Sequence, residues 1–82
     1  MFYTYVLKSL KDSNHYTGHT SNLTRRLNEH NSGFSKHTKS RIPFEIIYFE
    51  TFNTKGEAMK REKFFKTGKG RDFLKLILKY NY

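Results

Sequence analysis

The chain contains no cysteine. That excludes disulfides and thiolate metal sites, and it fits a reducing compartment. No run is long and apolar enough to span a bilayer, so no membrane association is expected. The start, Met1-Phe2-Tyr3, lacks a basic region followed by an apolar stretch. No signal peptide is therefore expected, and the expected location is cytoplasmic. Internal repeats and linker-like stretches are also missing, so residues 1–82 read as one domain. Carboxylates are scarce: seven Asp and Glu stand against sixteen Lys and Arg, a formal net charge of +9. Such a charge on so small a body attracts polyanions. Nucleic acid is the expected partner, ahead of an anionic surface; the bland alternative is charge kept for solubility.

Aromatic residues are abundant, with eight Phe and six Tyr. A chain this short buries a modest fraction of its surface, and large aromatic areas compensate. Residues 2–8 are aromatic and β-branched with apolar side chains on both faces, as expected of a central strand covered on both sides. Lys11-Asp12-Ser13-Asn14 is turn chemistry, and residues 15–19 complete a hairpin. Gly18 falls at the strand end, where glycine permits positive φ or close approach of another group.

Thr20, Ser21 and Asn22 offer caps for a helix to about residue 31, with Leu23 and Leu27 as its apolar stripe and Gly33 as its stop. Residues 32–43 form a polar loop carrying Lys36, His37, Lys39 and Arg41, closed by Pro43 and expected to contact ligand rather than to pack. Residues 44–51 form a third strand. Thr54 and Glu57 make a capping box for a helix to about Lys66, with Ala58, Met59 and Phe65 on its apolar face. Thr67-Gly68-Lys69-Gly70 breaks it. Phe73, Leu74, Ile77, Leu78 and Tyr80 have the spacing of a last amphipathic helix.

Three features stand out against this plan. Glu62 lies within an apolar stripe, where a carboxylate pays desolvation unless it is paired or bound to a metal. The structural alternative is a pair with Arg61 or a rim lysine. Arg26 and His30 are spaced i, i+4, either as a solvated face or as a cationic site. Arg25 projects about 100° away from Arg26. Arg26 follows Leu23 by three residues and is therefore the better phosphate clamp. Tyr5 and Tyr16 stand eleven residues apart on two strands, either as half-buried core residues or as paired hydroxyls.

Taken in order, these residues resemble the GIY-YIG endonuclease superfamily, and in particular its small stand-alone bacterial members. The first half-motif corresponds to Tyr3-Thr4-Tyr5 and the second to Tyr16-Thr17-Gly18. The helix arginine corresponds to Arg26, the histidine one turn on to His30, and the metal-binding glutamate to Glu62 in Met59-Lys60-Arg61-Glu62-Lys63. Tyr3 and Thr4 replace the glycine and isoleucine of the first half-motif. His19 stands where some members place a lysine that donates to phosphate, and His37 corresponds to a loop histidine of others. The closing asparagine of several members has no counterpart, since the only late Asn is Asn81.

The resemblance implies an α/β (α+β) fold, a three-stranded antiparallel sheet flanked by helices in the order β-β-α-β-α-α. It also implies a metal-dependent DNA endonuclease. Glu62 would hold one Mg²⁺, or Mn²⁺, that keeps several waters. Arg26 would clamp phosphate oxygens. Tyr16 would deprotonate or orient the attacking water, assisted by Tyr5. A tyrosine acting as a base near pH 7 needs nearby cations, and Arg26 and His30 are expected to supply them. Gly18, His19, Lys36, His37, Lys39 and Arg41 would contact substrate.

So small a body leaves phosphate contacts and shape to dominate over sequence readout, which points to nicked, branched or single-stranded DNA. Cutting both strands would require a protein partner, a homodimer or two visits. The alternative is a non-catalytic nucleic-acid-binding module. Kinship supports hydrolysis more directly than a role in DNA repair or recombination.

Overall fold

The computed structural model describes residues 1–78. Strands β1 (Phe2–Ser9), β2 (His15–Thr20) and β3 (Phe44–Phe52) form an antiparallel sheet in the order β2-β1-β3. Helices α1 (Leu23–Asn31), α2 (Lys55–Phe65) and α3 (Gly68–Leu78) complete the order β-β-α-β-α-α. The expected architecture is therefore present, with the apolar-on-both-faces strand in the middle of the sheet.

The two faces of β1 build two separate cores. Tyr5 and Leu7 pack with Phe44 under Leu23 and Leu27 of α1. Val6 packs on the opposite face with Phe65 of α2 and Leu74 of α3. The register between β1 and β3 shifts between Val6 and Leu7. This irregularity sends Ile46 to the α1 side and Tyr48 to the α2–α3 side, although they lie two apart in a strand. Arg61 fastens the second layer: its guanidinium donates to both Glu50 oxygens, at 2.8 and 3.3 Å, and lies 4.8 Å from the ring centroids of Phe64, Phe65 and Phe73.

The helix starts follow their caps. Asn22 Oδ1 accepts from the Arg25 backbone N–H, and Thr54 Oγ1 accepts from that of Glu57. Gly33 takes φ +80° just beyond α1, as a helix stop requires.

Three expectations are corrected. Met59 is exposed rather than part of the apolar face of α2; Ala58 and Phe65 are buried there. The loop of residues 32–43 does pack: Thr38 is buried, Lys39–Arg41 form a 3₁₀ turn, and Ile42 joins the α1-side core. A polar loop can supply packing groups when its hydroxyls find buried partners. Gly68 and Gly70 lie inside the first turn of α3 rather than between helices. Gly70 is there for contact, since a Cβ on it would fall 1.9 Å from the carbonyl oxygen of Phe64. Of the two partners open to Glu62, Arg61 is committed to Glu50, and the rim lysine is the one found, as Lys66. Tyr80 and Asn81 lie outside the described residues.

Candidate active site

The site forms where edge strand β2 lies between the two faces of the sheet. In the β1–β2 register, Tyr5 stands opposite Gly18 and Leu7 opposite Tyr16. These pairs share the α1 face, because directly opposed residues of an antiparallel ladder point the same way. Gly18 has no side chain, so the Tyr5 ring lies across it: a Cβ on Gly18 would meet the Tyr5 hydroxyl oxygen at 2.5 Å and its Cζ at 2.7 Å. Of the two roles open to this glycine, the structure uses close approach.

The Tyr5 hydroxyl is the hub. Arg26 Nε donates to it at 3.4 Å, and His30 Nε2 lies 3.1 Å away. His30 Nδ1 lies 2.8 Å from Thr38 Oγ1. One tautomer satisfies every partner: the neutral ring donates from Nδ1 to Thr38 and accepts the Tyr5 proton at Nε2. Tyr16 packs edge-on against the His30 ring at 5.1 Å, and its hydroxyl makes no hydrogen bond among the described residues. Arg25 is exposed, and its guanidinium reaches only Ser21 among the described residues, at 3.5 Å. Arg26 is the arginine that turns to the sheet. Its Nη1 donates to Glu29 at 3.0 Å, which leaves Nη2 without a partner among the described residues.

Electrostatics divides these groups sharply. Burial pushes the Tyr5 hydroxyl above its ordinary pKa, partly offset by Arg26. Burial also pulls at Arg26, but its hydrogen bonds to Tyr5 and Glu29 outweigh that and strengthen the charged form. His30 is fully buried, and burial first, then the Arg26 charge, lower its pKa to about 4. The expectation that His30 helps to supply positive charge is therefore corrected. At pH 7 the ring is neutral, and Arg26 is the cation bonded to this pair.

A melting prediction follows. A histidine with its pKa held at about 4 in the fold and 6.5 when unfolded costs nothing above pH 6.5, where both states are neutral. As pH falls from 6.5 to about 4 the unfolded chain takes up the proton first, and about 3 kcal/mol of stability is lost. His15, whose pKa burial also lowers, acts in the same direction. Thermal melts across this range should show a steep acid decline that is shallower in His30→Gln. Equal slopes would contradict a buried neutral His30.

Glu62 approaches from the other face. Residue 19 points away from residue 18, and His19 Nδ1 donates to Glu62 Oε1 at 2.6 Å. Lys66 Nζ donates to Glu62 Oε2 at 2.7 Å. Burial raises the Glu62 pKa, but Lys66 and His19 more than reverse this, and the pKa lies below its ordinary value. The expected uncompensated charge is thus corrected to a paired one. The Glu62 charge also bears on Tyr5, raising its pKa. The two halves therefore face one another around the β2 edge, with Gly18 between them.

The structure thus brings together Tyr5, Tyr16, Arg26 and His30, and places Gly18, His19 and Glu62 beside them. Lys36, His37, Lys39 and Arg41 are exposed along the loop, whose Thr38 bonds His30 of the site. Sequence reasoning missed Thr38 and Glu29 as partners, and offered for Glu62 only a rim lysine, which the structure identifies as Lys66. Helical spacing alone would have found Glu29 and Lys66, at i+3 from Arg26 and i+4 from Glu62. No periodicity marks Thr38.

Gly18→Ala should displace the Tyr5 ring and break its bonds to Arg26 and His30. Overpacking of this kind costs about 1–3 kcal/mol. A melt unchanged from the parent would refute the reading of Gly18 as the seat of Tyr5.

Comparison with known proteins places this geometry. A family model described as the GIY-YIG catalytic domain matches residues 1–76. A UPF0213 protein of Staphylococcus haemolyticus is 43% identical over 76 residues, covering 92% of each chain. Another, of Streptococcus agalactiae, is 48% identical over 65 residues, covering 78% of this chain and 73% of its own. The solution NMR structure of a UPF0213 protein from Bacillus halodurans superimposes with a TM-score of 0.54 at 34% identity, over 94% of this chain and 85% of that one.

Proposed function

Since the chain belongs to the GIY-YIG family of nuclease catalytic domains, we propose that it is a metal-dependent DNA endonuclease acting on nicked, branched or single-stranded DNA, with residues 1–82 as one nuclease domain. The observation that carries this reading is the Tyr5 hydroxyl held across Gly18 between Arg26 and a neutral His30.

Phosphodiester hydrolysis requires a positioned water, donors for the phosphoryl oxygens and a way for the leaving oxygen to depart. Tyr16, whose hydroxyl has no partner among the described residues, orients the attacking water by hydrogen bond. Tyr5 and His30 do not compete for that role. Burial keeps the first protonated and the second uncharged, so they act by fixing Arg26 and the Tyr16 ring. Arg26 offers Nη2 to a phosphate oxygen, and can add Nη1 if Glu29 is displaced.

Glu62 is the residue that would hold a divalent cation. Among the described residues no three His, Asp or Glu cluster as a closed metal site. One ionised carboxylate fits Mg²⁺ or Mn²⁺, hard ions that keep much of their water when a protein supplies few oxygens. When bound, the ion supplies Lewis-acid stabilisation of charge on the phosphoryl oxygens. His19 can orient the carboxylate through Nδ1, and Lys66, the exposed partner, is the one to release it. When protonated, His19 also has an Nε2 N–H to donate to phosphate. Lys36, His37, Lys39 and Arg41 contact the DNA backbone from the loop.

Labelled single-stranded, nicked, branched and fully paired DNA, incubated with Mg²⁺, Mn²⁺ or chelator, tests the proposal. Cleavage is expected in the metal arms alone, greatest on the first three substrates. Salt-sensitive binding with no cleavage in any arm would overturn it in favour of a binding module.

A further inference from the structure

A basic cleft lies next to the candidate active site. A cleft of about 420 Å³ opens between the end of the β1–β2 hairpin and the α2–α3 corner. Its volume is that of a ligand pocket. Arg41, Lys66, Arg71 and Lys75 line it together with Tyr16 and Asn14, and no carboxylate among the described residues does. Arg26 and Arg61 are each held by a close carboxylate, Glu29 and Glu50. In the cleft only weak or shared compensation reaches the cations, since Arg41 stands 3.7 Å from Asp12 and Lys66 shares the one Glu62 carboxylate with His19. Arg71 and Lys75 have no ion-pair partner among the described residues. They are spaced i, i+4 on α3, where like charges repel. A bound anion relieves that repulsion.

Two residues tie the cleft to the site. Tyr16 lines both, and Lys66 lines the cleft while its Nζ rests on Glu62. A strand whose scissile phosphate sits at Arg26 and Tyr16 therefore meets the cleft as it runs past the β2 edge. We infer that this cleft is a backbone-phosphate subsite, holding about two phosphates of the DNA strand flanking the cleaved bond, with Arg71 and Lys75 as its dedicated ligands. This rests on the nuclease reading for the identity of the strand, and it names which side of the molecule the strand follows. The chemistry recognised is the phosphodiester anion without regard to base, in keeping with a cleft lined by four cations.

The test pairs Arg71→Gln/Lys75→Gln with Lys55→Gln/Lys60→Gln, which removes the same charge from exposed positions outside the cleft. Binding of a single-stranded oligonucleotide is measured in chelator across a salt series, with melts to confirm folding. The cleft variant should bind about tenfold or more weakly. Its log-affinity versus log-salt slope should flatten by roughly 1.4, about 0.7 for each single-strand phosphate that is no longer neutralised. The control variant should change both far less. Equal losses in the two variants would mean that net charge alone is felt, and no loss in the cleft variant would mean that the strand runs elsewhere; either overturns the inference. The two readings fail separately. A parent that binds through the cleft but cuts nothing in any metal refutes the nuclease alone, whereas a parent that cuts while the cleft variant binds like the control refutes the cleft alone.

Discussion

Glu62→Gln is expected to abolish metal-dependent cleavage while leaving DNA binding within a few-fold of the parent. The amide keeps size and shape but cannot supply the anionic oxygen that a hard divalent cation requires. Losing several kcal/mol of charge stabilisation in the transition state corresponds to a rate lower by on the order of 10³-fold. Stability should fall, whereas removal of an unpaired desolvated carboxylate would be neutral or favourable. The Glu62 carboxylate is bonded by His19 and Lys66, and its pKa is lowered relative to 4.5. Its charge therefore stabilises the fold above pH 4.5, and that contribution fades as pH falls through the depressed value. The variant should melt earlier at pH 7, by about 1 kcal/mol, and like the parent in acid. Single-turnover cleavage in Mn²⁺, run beside melts at both pH values, reads the two effects together. A variant that melts early and cuts like the parent would reduce Glu62 to a structural pair and sink the catalytic assignment. Arg26→Lys provides the companion measurement, since a point charge cannot keep the Tyr5 contact and offer Nη2 at once.

Gly70→Ala is the substitution with the largest expected effect on folding. The added methyl would lie 1.9 Å from the Phe64 carbonyl oxygen and 2.6 Å from Phe65 Cα. Both are backbone atoms, so no side-chain rotation relieves the overlap and α3 must move off the end of α2. That separates Leu74 and Phe73 from Phe65 and Val6, the centre of one of the two cores. A cost of about 3 kcal/mol or more is expected, at the upper end for overpacking because the obstruction is rigid. In an exposed helical position the same change would stabilise by up to about 1 kcal/mol. Gly56 in α2, whose surroundings are open, serves as that control. Denaturant unfolding of both variants checks the prediction, and a Gly70→Ala midpoint at or above the parent's would refute the close approach of the two helices.

The sequence by itself determined the element order, the central strand and the helix starts. These depend on local, periodic chemistry: apolar residues on both faces of residues 2–8, side-chain oxygens at Asn22 and Thr54, leucines four apart. The ordered tyrosines, arginine and glutamate marked the family for the same reason, as they recur at fixed places along the chain. Tertiary structure alone decided how those groups are charged and partnered. His30 reads as a cation on a helix face, yet the loop brings Thr38 over it and burial makes it neutral. Glu62 reads as stranded, yet His19, forty-three residues away in sequence, meets it around the β2 edge. Gly70 reads as a helix breaker, yet it is the contact point of two helices. Ionisation and close packing depend on what surrounds a group in space. Neighbours brought in from distant positions leave no period in the sequence.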